Sequence, residues 1–130
     1  MAQAVLSPST VVHVRACYNR EGPEIAMLAR RAGFLLPDLD WSLVSPYWLV
    51  AEHARKLIGA IQLCPSVPIA RLELLCLEPE LSHRLKALAT KRLLVHGCAT
   101  LAKAGAQYVS GLVDDGLPGY EQVLQRRGAV

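Results

Sequence analysis

One stretch of the sequence constrains the fold more than any other, because two runs with strand character enclose a long run with helical character. The first is the apolar run I-A-R-L-E-L-L-C-L at 69–77, and residues 84–104 then repeat apolar side chains with a helical period. Gly105 provides a helix stop, and the strand run Q-Y-V-S-G-L-V follows at 107–113. This βαβ unit predicts two parallel strands with a right-handed crossover. The side chains expected on the buried face of the helix are Leu94, Val95, Cys98, Leu101 and Ala102.

The residues before the βαβ unit predict an antiparallel meander. The runs Y-W-L-V-A-E and L-I-G-A-I-Q-L-C flank the polar residues H-A-R-K at 53–56, and the run at 69–77 is the third strand. A run rich in β-branched residues at 11–17 predicts one more strand. Between these strands, residues 34–46 are expected to form a loop with a short helical turn around 40–43.

Two further helices complete the predicted order. The first opens at Gly22-Pro23 and stops at Gly33, with Ile25, Leu28, Ala29 and Ala32 on one apolar stripe. A closing helix is predicted from Pro118 to Gly128. The predicted class is therefore α/β (α+β): a mixed sheet with helices on both faces, formed by residues 1–130 as a single domain.

Composition excludes several classes of protein. A chain of 130 residues with 52% hydrophobic and 19% charged residues can bury one core. The most apolar stretch, 57–70, is short and contains two prolines, so no membrane span is expected, and the N-terminus lacks the pattern of a secretory signal. A net charge of +3 spread along the chain does not indicate nucleic-acid binding. The four cysteines lack metal-ligand spacing, so we expect no metal site, small buried thiols and a soluble cytoplasmic protein.

Positive charge collects at the start of the long helix. Arg84, Lys86, Lys91 and Arg92 lie in its first turns, where the helix dipole already places partial positive charge. A phosphate bound to the free N–H groups of the first turn would offset that charge. In the alternative interpretation these side chains point into water and Ser82 caps the helix.

The residues at this junction resemble the GCN5-related N-acetyltransferases. The signature of that family is a strand ending near V-x-P, followed by R/Q-x-x-G-x-G/A, which opens a long helix over the pyrophosphate of acetyl-CoA. Here L-E-P at 77–79 resembles the first part, and R-L-K-A-L-A at 84–89 resembles the second. The stretch around Gly59 resembles the family's second and third strands, and Y-E-Q-V-L-Q-R-R-G-A resembles its closing helix. The resemblance extends over nearly the whole chain, except for the last strand that members normally have.

The resemblance implies acetyl-CoA as the cosubstrate, held by the first turns of the long helix. Ala87 and Ala89 stand where the family has glycines, whose missing Cβ lets the backbone approach the pyrophosphate. A tighter register, S-H-R-L-K-A at 82–87, places Leu85 at the first glycine and is sterically less favourable. The implied cofactor-binding residues are Leu77, Arg84, Leu85, Lys86, Ala87, Leu88, Ala89 and Thr90.

The resemblance also implies where acetyl transfer takes place. A backbone N–H of the central strand holds the thioester carbonyl in the family, and Leu77 has that position here. Glu73 lies four residues earlier, on the same face of a regular strand, and is the candidate base, with Glu78 as second choice. Otherwise Glu73 is an exposed strand carboxylate. The family's proton-donating tyrosine aligns with Leu124, so Tyr120, one helical turn earlier, is either its substitute or a packing residue.

Two functions follow from the sequence. The leading one is an acetyl-CoA-dependent N-acetyltransferase that transfers acetyl to a primary amine, with Trp41 and Trp48 beside the acceptor cleft or in the core. The alternative is a catalytically silent domain of the same fold, with a structural or binding role in a larger assembly such as a virion. The two alanines, the missing tyrosine and the missing last strand favour it. An open edge at 107–113 would then be covered by self-association or by a partner chain.

Overall fold

Within residues 11–111, five strands form one mixed sheet, with helices on both of its faces. The structure is a computed structural model that describes residues 11–111. The strands are β1 (His13–Ala16), β2 (Trp48–His53), β3 (Lys56–Cys64), β4 (Ile69–Leu77) and β5 (Tyr108–Gly111), in that order across the sheet. The helices are α1 (Gly22–Arg31), α2 (Trp41–Val44) and α3 (His83–Lys103). Strands β1 to β4 pair antiparallel and β5 pairs parallel to β4, so the predicted meander and βαβ unit are confirmed.

Helix α3 covers one face of the sheet, which we call the α3 face. Leu94, Cys98 and Leu101 are buried there as predicted, but Val95 is only half-buried and Ala102 is exposed. The buried face is rotated toward Leu93 and Gly97, and α3 packs tightly against Leu72 of β4 at the glycine. A Cβ on Gly97 would lie 2.7 Å from Leu72 Cδ2.

Helix α1 packs on the opposite face, which we call the α1 face. Its buried residues Ile25, Leu28 and Ala29 meet Trp48 of β2 in a second core cluster. The helix has proline in its first turn, and Gly33 follows its end with a φ of +98°, a conformation that glycine adopts without steric cost. The predicted start and stop of α1 are therefore confirmed.

The turn between β2 and β3 is shorter than predicted. His53 and Lys56 pair with each other inside the strands, which leaves Ala54 and Arg55 as a two-residue turn. Both turn residues have positive φ, 49° and 65°, as a right-twisted hairpin of this length requires. Neither residue is a glycine or an asparagine, so the sequence carries no signal for this turn type.

Three of the four cysteines, Cys17, Cys76 and Cys98, are buried, as predicted for small apolar side chains. Burial raises the pKa of the Cys17 and Cys76 thiols to about 11. Within residues 11–111, no helix is long and apolar enough to cross a membrane, and no group of three or more metal-ligating side chains is present.

Several predictions fall outside the described residues. They are the end of the last strand beyond Gly111, the closing helix from Pro118 with Tyr120 and Leu124, and the character of the N-terminal segment. The extent of the domain over the full chain also stays a prediction.

Candidate active site

Strand β4 is interrupted by a β-bulge at Leu74. Ala60 of β3 pairs with Cys76 and Gln62 pairs with Glu73, so β4 has one more residue than β3 between these pairs. Leu74 has a φ of +53°, in the left-handed region that costs a residue other than glycine about 1–2 kcal/mol. Its side chain packs on the α1 face, and the Cys76 thiol donates to its carbonyl oxygen at 3.2 Å. Strained breaks of this kind in a strand are over-represented next to active sites.

The bulge corrects one prediction about Glu73. Leu72 and Leu77 both pack on the α3 face, whereas Leu74 and Cys76 pack on the α1 face. The extra residue shifts the alternation of the strand by one position, so Glu73 and Leu77 lie on opposite faces. The expectation that they share a face is wrong, because it assumed a regular strand.

The backbone N–H of Leu77 points away from β3. The neighbouring Glu78 N–H donates to the carbonyl oxygen of Ile58 at 2.8 Å, and successive N–H groups of a strand alternate in direction. Leu77 therefore directs its N–H toward the β5 side, where the described pairing between β4 and β5 ends at Leu72 and Gly111. This orientation is the one that a donor to a ligand beside β4 needs, and the role itself stays a prediction.

Glu73 is a half-buried carboxylate held between two neighbours on the α1 face. Its Oε1 lies 3.2 Å from Arg71 Nη1, and its Oε2 accepts from the Cys64 thiol at 3.7 Å. Burial, followed by the negative charge of Glu73, raises the pKa of the Cys64 thiol. The Glu73 side chain is 32% exposed, so a ligand can reach the carboxylate.

The N-terminus of α3 offers donors to an anion. Ser82 is the N-cap: its Oγ accepts from Leu85 N–H at 3.2 Å and its carbonyl accepts from Lys86 N–H at 3.0 Å. Within residues 11–111, neither the His83 N–H nor the Arg84 N–H has an acceptor, and the first turn has no acidic residue. Two free donors at the positive end of a helix dipole are suited to a phosphate group.

The start of α3 bears on which residues can hold that anion. Because Ser82 begins the helix two residues before Arg84, the N–H groups from Lys86 onward bond inside the helix. The first turn therefore coincides with the tighter register, 82–87, and not with the register 84–89 that the sequence favours on steric grounds.

The side chains of the predicted cofactor-binding residues divide into three groups. Arg84 and Ala87 are exposed, while Lys86, Leu85 and Leu88 are half-buried, and the two leucines pack against the α3-face core. Leu77, Ala89 and Thr90 are buried, and in α3 the side chains of Ala89 and Thr90 therefore face the protein interior and not the solvent side of the helix. Of the whole predicted set, only Arg84 combines a solvent-exposed side chain with a free first-turn N–H.

The turn that leads into α3 is tied to α1. Arg31, in the last turn of α1, contacts Glu78 Oε2 through Nη2 at 2.7 Å and through Nε at 2.9 Å. Glu78 is therefore engaged in an ion pair and is poorly suited to the role of second-choice base. Sequence reasoning missed this pair, as it missed Leu74 and the position of Arg71, because none of them lies in a recognisable motif.

Trp48 and Trp41 lie together on the α1 face. Trp48 is fully buried, and its ring centroid lies 5.9 Å from that of Trp41. The interpretation of Trp48 as a core anchor is confirmed. Trp41 is half-buried at the start of α2 and covers Gly22.

Comparison with solved structures identifies the fold. N-acetylglutamate synthase from Neisseria gonorrhoeae, solved with coenzyme A and N-acetyl-glutamate, matches 89% of this chain with a TM-score of 0.69 and 18% identity. Diaminobutyrate acetyltransferase from Paenibacillus lautus, solved with L-2,4-diaminobutyric acid and coenzyme A, matches 90% of this chain and 74% of its own, with a TM-score of 0.68 and 20% identity. A GNAT family acetyltransferase from Brucella melitensis, solved with acetyl-CoA, matches 87% of this chain and 81% of its own, with a TM-score of 0.64 and 20% identity.

The chain therefore has the fold of the GCN5-related N-acetyltransferases, and the resemblance seen in its sequence is confirmed at the level of the fold. No protein-family model and no curated protein matches the sequence. The chain spans only 28% of the length of the Neisseria synthase.

Proposed function

We propose that this chain binds acetyl-CoA and transfers the acetyl group to a primary amine. The observation that most supports the proposal is the bulge at Leu74, which breaks β4 just before that strand leads into the N-terminus of α3. The proposed donor to a thioester carbonyl and the proposed donors to a pyrophosphate thus lie on one continuous stretch of chain. The similar structures from Neisseria, Paenibacillus and Brucella were solved with coenzyme A or acetyl-CoA, which is consistent with this cosubstrate.

The first turn of α3 is the proposed site for the pyrophosphate. The His83 and Arg84 N–H groups would donate to its oxygens, and the side chains of Arg84 and Lys86 would add positive charge. Glu78 and Glu80 in the preceding turn oppose an anion, but the ion pair with Arg31 compensates the charge of Glu78. The donor set fits a diphosphate without any glycine at Ala87, because Ala87 is exposed and lies beyond the free N–H groups.

The transfer step uses residues on either side of the bulge. Bound acetyl-CoA supplies a thioester, whose carbonyl carbon forms the new C–N bond with the amine while its C–S bond breaks. The Leu77 N–H would donate to the carbonyl oxygen and stabilise the negative charge that develops there. Glu73, on the α1 face, would accept the proton that the amine loses, directly or through a water molecule. Tyr120, outside the described residues, is the proposed proton donor to the leaving thiolate.

Thermal unfolding with acetyl-CoA tests the binding half of the proposal. A ligand at 100 times its dissociation constant stabilises a protein by about 2.7 kcal/mol, which raises the Tm of a domain of this size by several degrees. We expect that shift for the wild type and a smaller one for Arg84→Gln. Lys103→Gln is the matched control, because Lys103 is an exposed cation at the opposite end of the same helix.

Turnover tests the catalytic half. Glu73→Gln should keep the acetyl-CoA shift and lose about 10²–10⁴-fold in rate, the range typical of a general base. Normal turnover by this variant would contradict the assigned role. If the protein folds but its Tm does not rise with acetyl-CoA, the result would favour the catalytically silent domain. The binding role of that domain would then involve a partner or a second copy.

A further inference from the structure

Arg71 and Glu73 form a pair of opposite charges directly before the bulge. They are two residues apart on β4. Leu72, which lies between them, and Ala70, which precedes Arg71, both pack on the α3 face, so Arg71 and Glu73 lie on the α1 face. The Arg71 side chain is 62% exposed and lies 3.2 Å from Glu73 through Nη1 and Oε1. A carboxylate and a guanidinium are therefore presented together to solvent, with the carboxylate nearer to the bulge.

We propose that this pair selects an amino acid as the acyl acceptor, an inference that rests on the proposed acetyltransferase function. Glu73 faces the ammonium group of the acceptor, and Arg71 binds its carboxylate. The guanidinium matches a carboxylate through two parallel N–H donors, which a primary amine without a carboxylate cannot use. The acceptor replaces one internal ion pair with two ion pairs to itself.

The order of the two charges along the strand fits the direction of transfer. Glu73 is adjacent to Leu74, so the amine it faces lies on the side of the bulge where the thioester is proposed. Arg71 lies two residues farther away, roughly 6–7 Å along the strand, and its long side chain reaches back toward Glu73. The acceptor's nitrogen would therefore point toward the acetyl group and its carboxylate away from it.

The atoms and protons of the transfer step balance when the acceptor is an amino acid. The ammonium group of the acceptor gives one proton to Glu73 to become a nucleophilic amine, and its nitrogen forms the amide bond to the acetyl carbon. The C–S bond breaks, the sulfur leaves with its electron pair, and the second proton lost by nitrogen compensates the thiolate. The products are an N-acetylamino acid and the free thiol.

The Arg71–Glu73 pair is weakly coupled to the fold, which makes a clean test possible. Exposed ion pairs contribute little to stability, so Arg71→Gln should fold and unfold like the wild type. Arg30→Gln is the matched control, because Arg30 is an exposed arginine on α1. Arg71→Lys keeps the charge and loses the two-pronged geometry.

The experiment compares amino acids with the amines that remain after their carboxylate is removed, such as lysine with cadaverine. Initial rates of acetylation and equilibrium binding by calorimetry are measured for both members of each pair. We expect the wild type to favour the amino acid, and Arg71→Gln to lose about 10- to 100-fold more in kcat/KM for the amino acid than for the amine. Arg71→Lys should recover part of that loss, and Arg30→Gln should behave like the wild type.

Two results would overturn the inference. One is a wild type that binds and acetylates the amines as well as the amino acids, and the other is an Arg71→Gln variant that loses both to the same extent. Equilibrium binding decides the matter even if turnover is slow. Failure of the proposed function is recognised separately, as an absence of any acetyl-CoA shift.

Discussion

The two faces of the sheet are filled by different kinds of side chain. The α3 face is packed almost wholly with aliphatic residues, among which Leu72, Leu93 and Leu94 are completely buried. The α1 face has a smaller cluster that contains Trp48 and adjoins charged groups. The comparison indicates that the α3 face mainly stabilises the fold, whereas the α1 face also carries Arg71 and Glu73, the polar side chains proposed to act in acetyl transfer.

An ionic network at the start of α1 shows how charge is accommodated on that face. Arg15 contacts both oxygens of Glu21 at 2.7 Å and Oε2 of Glu52 at 3.0 Å. Glu21 also accepts from the Tyr18 N–H at 2.8 Å. The hydrogen bond from Arg15 lowers the pKa of the Glu21 carboxyl, although burial opposes that shift. Charge is tolerated here because every buried polar atom of Glu21 has a partner.

The largest expected effect lies on the α3 face. Leu94→Ala removes a fully buried side chain, and such changes cost about 3 kcal/mol of unfolding free energy. Urea unfolding measures the loss. Leu43→Ala is the control, because Leu43 is 68% exposed and its removal should cost less than about 0.5 kcal/mol. Equal losses in the two variants would break the contrast between interior and surface on which the comparison rests.

A slightly smaller effect is expected on the α1 face at Gly22. A Cβ there would lie 2.2 Å from Trp41 Cγ, so Gly22→Ala must displace the indole ring and should cost about 2 kcal/mol. The backbone of Gly22 is helical, so without the clash alanine would stabilise the helix by up to about 1 kcal/mol. A loss of stability in Gly22→Ala would therefore show that Trp41 is held firmly, and a gain would show that its ring moves aside. Tryptophan fluorescence should shift in the same variant, and Glu24→Ala on the exposed side of α1 should leave it unchanged.

Acid should lower the free energy of unfolding by protonating Glu21, which lies on the α1 face. Because the folded pKa of Glu21 lies below its usual 4.5, its stabilisation is fully present above that pH and is lost as the pH falls through the folded value. Glu21→Gln should lower the unfolding free energy by about 1.5 kcal/mol at pH 7 and should flatten its decline below pH 4.5. Urea unfolding between pH 3 and pH 7 measures both, with the exposed Glu24→Gln as control. An unchanged acid profile in Glu21→Gln would mean that other carboxyls dominate the decline.

The sequence was sufficient for the order of elements, because local signals and the global fold agree there. Gly33 and Gly105 both adopt positive φ where helices were expected to stop, and Asp40 and Ser82 both cap helices where turns of helix were expected. The order of strand, long helix and strand, with Gly105 as the helix stop, predicts a parallel strand at 107–113, and β5 pairs parallel to β4 over the described residues 108–111.

The site was harder to predict because tertiary packing overrides local preference there. Leu74 adopts a left-handed conformation although leucine has no preference for it, and nothing in L-E-L-L-C marks the break. The prediction that Glu73 and Leu77 share a face of β4 is wrong for that reason alone. In α3, apolar residues occur on several sides, so Val95 is as plausible a buried residue as Leu93 from the sequence alone, and the tight packing of Gly97 against Leu72 shows which side faces the sheet.

The smallest expected effect on stability gives the sharpest test of function, and it lies where α3 begins. Ser82→Ala removes the hydroxyl that accepts from Leu85 N–H and should cost about 1 kcal/mol, while it leaves the free donors of the first turn available to acetyl-CoA. Ser82→Asp keeps a good cap and so keeps the stability, but it places a carboxylate where the pyrophosphate is proposed to bind. We therefore expect Ser82→Ala, the less stable variant, to retain the rise in Tm with acetyl-CoA. Ser82→Asp, the more stable variant, should lose that rise. If Ser82→Asp bound acetyl-CoA like the wild type, the α3 terminus would not be the phosphate site, and the α3 face would be purely structural.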